Sequence, residues 1–296
     1  MKLKPIRDQV VVLVGASSGI GREAAILFAR RGARLVVAAR DEDGLQTLVD
    51  ELHREGGEAI AVRAEVSVFE DVRRIGERAV EQWGRVDTWV NLAAVELWAT
   101  VEQTSPKEFV RVIDVDLLGQ IFGAKVALPL LKKEGRGAII HIGSVESRRP
   151  LPLQSAYAAA KHGVDGFAKV LRMELRHDRV PISVTTILPG TTNTPLFEKA
   201  RTKIGVEPKG PAPVYRPGRV ARAIVRAAEK PTREVAVGGA AKSMLFVDRY
   251  VTPRLLDLAL SRKGIAMQRS DKPKTEDAPN NLFAPISGFD RVQGVQ

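Results

Sequence analysis

The stretch Val10-Val-Val-Leu-Val14-Gly15-Ala-Ser-Ser-Gly19-Ile-Gly21 decides the fold of this chain. Its first five residues are apolar and four of them are β-branched, the pattern of a strand covered on both faces. Gly15 permits a tight turn, while Gly19 and Gly21 let backbone and helix approach a pyrophosphate closely. Ser17 and Ser18 supply hydroxyl donors, and the helix pattern over 19–31 offers free N–H groups and a positive dipole end. A glycine trio alone is a weak signal. Between a strand and a helix it points to a dinucleotide phosphate loop.

Outward from this loop the alternation repeats. Short apolar runs at Val10–Val14, Leu35–Ala39, Ala59–Val62, Thr88–Leu92, Ala138–Ile142, Ile182–Leu188 and Glu234–Val237 read as strands. Helix patterns lie between them, over 19–31, 42–55, 68–83, 106–132, 155–177 and 217–229. Such alternation predicts right-handed crossovers and an α/β fold: a doubly wound, parallel, seven-stranded Rossmann-type sheet with helices on both faces. Ligands then bind beyond the carboxyl ends of the strands. We assign 1–240 to this catalytic domain, 241–262 to a C-terminal helical extension and 263–296 to a polar tail. Pro195, Pro208, Pro211 and Pro213 mark 190–216 as a long loop suited to a substrate lid. The tail's composition permits disorder, with Leu282, Phe283 and Phe289 available for local docking.

Composition narrows the chemistry. The 296 residues are 44% hydrophobic, which rules out disorder throughout. There is no cysteine, so disulfides and thiolate catalysis are excluded. His53, His141, His162 and His177 show no metal spacing, and we expect no metal. The run Val10–Val14 is far too short for a signal peptide, and nothing reaches the roughly 20 apolar residues of a membrane span; the expected location is cytoplasmic. The net charge of +11 is spread along the chain and only 5% of residues are aromatic, so we expect no nucleic-acid partner.

At the end of the second strand an NAD site usually places a carboxylate for the ribose. Here Ala39 is followed by Arg40, which suits a 2′-phosphate and hence NADP(H). Asp41 is the competing salt-bridge partner for Arg40. Further along, Ser144 closes Ile140-His-Ile-Gly-Ser144, and thirteen residues later comes Tyr157-Ala-Ala-Ala-Lys161. Residues at i and i+4 share a helix face, so the ammonium can lie near the phenol. A neighbouring cation is expected to lower the phenol pKa from about 10, and Ser144 can hold a substrate oxygen.

With these residues in place, the sequence resembles the short-chain dehydrogenase/reductase family over roughly 8–240. The glycine motif matches Gly15, Gly19 and Gly21, and the catalytic serine, tyrosine and lysine match Ser144, Tyr157 and Lys161. The resemblance implies reversible hydride transfer between nicotinamide and a carbonyl or alcohol carbon. Tyr157 then passes the proton, Lys161 also holds the nicotinamide ribose, and Ser144 polarises the oxygen. It implies further cofactor positions at Ile20, Glu65, Val66, Asn91, Ala93, Pro189, Gly190, Thr192 and Thr194. Asp116 stands at the family's catalytic asparagine position. Val14 replaces a frequent threonine, Leu92-Ala93-Ala94 replaces Asn-Ala-Gly, and Glu65 replaces an aspartate.

Trp98, Leu151, Leu196 and Phe197 fall in segments that should rim the active site, with Leu97 and Leu153, and suggest an apolar substrate. Glu96, Glu146, Arg148 and Arg149 add polar selectivity at that rim. His141 and His162 read as structural, and Arg216, Arg219, Arg222 and Arg226 as a solvated face. The apolar segment Met244–Leu260 is assigned to oligomer contact, in a homodimer or homotetramer, ahead of peripheral membrane contact. The competing function is a dinucleotide-binding, redox-responsive scaffold with little turnover.

Overall fold

The structure, a computed structural model, describes residues 1–239, 241–244 and 253–295. Seven parallel strands form one sheet: β1 (Val10–Val14), β2 (Arg34–Ala39), β3 (Glu58–Arg63), β4 (Thr88–Asn91), β6 (Gly137–Ile142), β7 (Ile182–Pro189) and β10 (Glu234–Val237). Their spatial order is β10-β7-β6-β4-β1-β2-β3. The chain order reverses at β1, between β2 and β4, so a crevice opens there beyond the carboxyl ends. The unbroken apolar run of β1 has a simple cause. Val10, Val12 and Val14 enter the core on one side of the sheet, and Val11 and Leu13 the core on the other, so both pleat faces are buried.

Helices α1 (Gly19–Ala29), α2 (Glu42–Arg54), α3 (Phe69–Trp83) and α6 (Ser155–His177) follow the sequence expectation closely. Asp41 does not pair with Arg40; its carboxylate accepts from Gly44 N at 3.1 Å and caps α2. The helix expected over 106–132 is divided. Its parts are α4 (Pro106–Ile113), started by a Ser105–Glu108 capping box, a π-helical turn (Asp114–Leu118), and α5 (Gly119–Lys133). A π turn widens the helix by one residue per turn and re-aims side chains. Here it buries Asp116 completely.

The loop 190–216 carries a short helix α7 (Leu196–Lys199) and strands β8 (Arg201–Thr202) and β9 (Val206–Pro208). β8 pairs with β5 (Leu97–Trp98), which ties the lid to the segment after β4. Helix α8 (Pro217–Glu229) then returns to pack on α1.

The polar tail lies against the domain, and of the residues named for docking Leu282 is the one that enters the core. Its strand β11 (Arg269–Pro273) pairs antiparallel with β9. Gln268 is buried and accepts from Trp98 Nε1 at 3.0 Å, and Leu282 is fully buried in the core cluster around Trp89 and Ile139. Phe283 remains 44% exposed, with Lys107 over its ring. Backbone pairing and a single buried leucine, neither visible as periodicity, hold the segment. Of the segment Met244–Leu260, residues 245–252 lie outside the described residues; a helix runs over Pro253–Lys263. No described helix is long and apolar enough to cross a membrane.

Candidate active site

Two adjoining clefts meet at the carboxyl ends of β1, β4 and β6. The first is lined by Gly15, Ser17, Ser18, Gly19, Ile20 and Gly21 from the loop before α1, with Arg40, Val66, Ala93 and Thr194 around it. Gly15 has φ +95°, and a Cβ there would lie 2.4 Å from Ala93 N. A Cβ on Gly21 would lie 2.1 Å from Gly15 O. Only glycine therefore lets the helix end approach the loop this closely.

Lys199, which the sequence did not single out, enters this cleft from α7. Its Nζ donates to Ser18 Oγ at 2.8 Å, and burial pushes its pKa down to about 8. The tail also reaches the cleft. Asn281, Pro285 and Ile286 line it; Arg40 Nη2 donates to Asn281 O at 2.7 Å, and Gly19 N to Arg291 O at 2.9 Å. Two expected contact residues stand back. Glu65 is bound to Arg111 at 2.6 Å, with Arg40 at 3.5 Å. Asn91 is buried between Trp89 Nε1, which donates to it at 2.9 Å, and Gln120 O; it stitches β4 to α5 where Gly123 leaves room. Neither lines the cleft.

The second cleft holds Ser144, Tyr157 and Lys161, with Pro189, Gly190 and Thr192 on one side and Trp98, Glu146, Leu151, Leu196 and Phe197 on another. Ser144 follows β6 and caps a short turn, and its Oγ accepts from Glu146 N at 3.1 Å. Tyr157 and Lys161 lie one turn apart on α6, the ammonium 5.2 Å from the phenol ring centroid. Lys161 Nζ also donates to Ile142 O at 3.3 Å and lies 3.4 Å from Asp116 Oδ2. The other Asp116 oxygen accepts from Val95 N at 2.8 Å. Arg111, a possible partner for Asp116 by sequence, is instead engaged by Glu65, Ser67 and Leu282 O.

The electrostatics differ from the sequence expectation. The Tyr157 phenol stands well above its ordinary pKa: burial raises it most, followed by Glu96, Glu146 and Asp116, while the Ser144 hydroxyl opposes them. Burial is thus the main cause, ahead of the carboxyls. Burial also raises Asp116, against the pull of Lys161, and pushes Glu146 up to about 8. Hydrogen bonding supports a protonated Glu146. Gln268 Nε2 donates to Pro152 O and Gly264 O, which leaves Gln268 Oε1 as an acceptor. The Gln154 amide must turn its NH2 to that oxygen, at 2.8 Å. Its carbonyl then faces the Glu146 oxygens at 2.6 and 2.9 Å, a contact only a carboxylic acid can make favourable.

Arg148 and Arg149 turn away from the cavity. Arg148 pairs with Asp165 and Glu234, and Arg149 with Asp257. His141 Nδ1 donates within the core to Gln120 Oε1 at 3.0 Å, and burial drives its pKa down to about 3. His162 contacts Ala158 O on its own helix.

Known proteins resemble this chain over most of its length. The short chain dehydrogenase family matches residues 9–205. The uncharacterised oxidoreductase YxnA of Bacillus subtilis is 38% identical over 285 residues, spanning 96% of this chain and 80% of that protein. Dehydrogenase/reductase SDR family member 7B of Bos taurus is 32% identical over 261 residues, spanning 84% of this chain and 79% of that protein. Among solved structures, an alcohol dehydrogenase of the archaeon Thermococcus sibiricus, complexed with 5-hydroxy-NADP, superposes with a TM-score of 0.68. It is 26% identical and covers 77% of this chain and 95% of its own.

Proposed function

The chain belongs to the short-chain dehydrogenase family of oxidoreductases, and from that premise we propose that it moves hydride between NADP(H) and the carbonyl or alcohol carbon of a small to medium-sized substrate. The observation that carries this reading is the meeting of Ser144, Tyr157 and Lys161 in a cavity continuous with the glycine-loop cleft. That cleft suits a dinucleotide: glycine-only backbone at Gly15 and Gly21, a helix N-terminus, and two cations, Arg40 and Lys199, at its rim. The nicotinamide, when bound, supplies or accepts the hydride. Ser144 donates to the substrate oxygen, and Tyr157 gives that oxygen a proton in reduction and takes one in oxidation. Lys161 holds positive charge beside the phenol, and the walls formed by Trp98, Leu151, Leu196 and Phe197 keep water away. A homodimer or homotetramer remains our proposed assembly.

The test is NADPH consumption across ketones, aldehydes, steroids and quinones. The competing reading, a redox-responsive scaffold, is favoured by one observation: tail carbonyls already engage Gly19 N and Arg40. It requires nucleotide binding without consumption over the whole panel.

Arg40 and Lys199 favour the 2′-phosphated cofactor, a preference that the ligand of the archaeal alcohol dehydrogenase supports. Arg40→Ala should weaken NADPH binding roughly ten- to a hundredfold, the value of about 1.5–3 kcal/mol for a charge-assisted bond. NADH binding should change little. Fluorescence titration of both cofactors decides it, and an unchanged preference removes Arg40 from the assignment.

Asp116 sets a second expectation. Its negative charge raises the phenol pKa, and alcohol oxidation needs the phenolate, so the oxidation rate should climb with pH. Asp116→Asn removes that charge and should move the climb to lower pH by about one to three units. Rate profiles from pH 5 to 10 for both proteins, superimposed, would show Asp116 to be electrically silent.

A further inference from the structure

We infer that the helix Pro253–Lys263 and the turn after it form a docking face for an anionic lipid surface. Four large apolar side chains stand out in this short run of chain. Leu255 is 62% exposed, Leu258 47%, Ile265 42% and Met267 43%. Exposed apolar residues scattered singly are ordinary, but a group this dense marks an interaction surface. Helical spacing puts Arg254, Leu255, Leu258 and Arg262 on one face, and that face is exposed. Leu256 and Leu260 lie on the other side and are half-buried. The helix thus turns two leucines toward the body and two away from it, and no described residue covers the outward pair.

Charge identifies what covers them. Arg254 and Arg262 flank the outward leucines, and Lys263 and Arg269 stand on either side of Ile265 and Met267; all four are exposed. The one acid of the helix, Asp257, is taken by Arg149 at 2.6 Å, and none of the four cations is paired with an acid among the described residues. The sequence assigns this segment to oligomer contact, but a two-fold contact here would set these cations against their own copies. A nucleic acid would answer the charge and leave the leucines in water. Lipid with anionic headgroups answers both, taking the leucines below the headgroups and the cations at their level. The net charge of +11 adds attraction at longer range. Any homo-oligomer then uses another face. The docking face is also fastened to the substrate cavity. A Cβ on Gly264 would lie 2.8 Å from Pro152 Cγ, and Gln268 Nε2 donates to Pro152 O at 2.9 Å. Leu151 and Gln154, which flank that stretch, line the cavity, so docking brings its wall beside the lipid.

The experiment is co-sedimentation of the full chain with two kinds of vesicle. One is phosphatidylcholine alone; the other is equal parts of phosphatidylcholine and phosphatidylglycerol. Binding to the mixed vesicles should be at least about tenfold tighter, since each cation at an anionic surface contributes roughly fivefold. The Leu255→Ser, Leu258→Ser pair should weaken that binding by about tenfold or more. The Arg254→Gln, Arg262→Gln pair should narrow the gap between the two vesicle types. All four altered side chains are exposed, so both variants should melt with the parent. Leu258→Trp gives an independent reading: its added emission should shift to the blue with mixed vesicles. Failure of the parent to bind mixed vesicles overturns the inference, and so does an unshifted emission in Leu258→Trp. Equal binding by the parent and the leucine pair overturns it as well, leaving only the general attraction of a basic protein. Light scattering decides the remaining case: an oligomer that the leucine pair dissociates would assign the face to a second copy and overturn the lipid reading.

Discussion

Tyr157→Phe should lower turnover by about 10²–10⁴-fold, the usual contribution of a positioned proton donor, while NADPH still binds. The substitution removes one hydroxyl from a buried ring on α6 and keeps the ring's packing. Ser144 does not replace it: its Oγ sits at the cap of its own turn, accepting from Glu146 N, and its ordinary acidity is far weaker than a phenol's. The raised phenol pKa makes the variant more telling in the reduction direction. A phenol that holds its proton to high pH is a competent donor throughout the neutral range, so the loss should be nearly independent of pH from 6 to 9. Steady-state rates and fluorescence titration on the same preparation separate the effects. Turnover within tenfold of the parent would show that the proton travels by another route.

Removal of residues 275–296 should cost stability and speed cofactor entry. Leu282 is fully buried in the main core cluster, and deleting such a side chain costs about 2–5 kcal/mol. For a chain of this size that corresponds to a melting point lower by roughly 3–8 °C. The same truncation releases Arg40 from Asn281 O and Gly19 N from Arg291 O. The first of these bonds is charge-assisted and contributes about 1.5–3 kcal/mol, so NADPH association should accelerate by about tenfold or more. Thermal melting and stopped-flow fluorescence report the two effects independently. An unchanged melting point together with unchanged association would mean that the tail holds neither core nor cleft.

The sheet was legible because its signals are local. β1, the glycine loop and α1 are contiguous, and Tyr157 and Lys161 are brought together by the helix that contains both. Limits of the inner strands followed from apolar runs that the structure buries on both faces. The break at 114–118 was not legible, because a π turn continues the helix without a proline, glycine or side-chain cap within it to mark it. Lys199 was missed because it reaches Ser18 across 181 positions of sequence, and no spacing rule spans that distance. Glu96 and Glu146 were read as rim residues alongside Arg148 and Arg149. Sequence shows four charges in one neighbourhood but not which of them turn inward, and the structure turns the acids in and the bases out. The lowered phenol pKa expected from Lys161 failed because burial raises it most, and three carboxyls from separate elements add to that.

The contact between Gly19 and Arg291 also fixes an order of events during synthesis. Chains emerge from the ribosome N-terminus first, at about 5–20 residues per second, and domains fold as units as they appear. The last sheet strand, β10, ends at Val237, so every strand of the sheet has been made before Arg291 is. A nascent chain can therefore build its nucleotide cleft while the groups that later engage Gly19 and Arg40 are still unmade. Cofactor present at that moment meets Gly19 N and Arg40 before the tail can engage them.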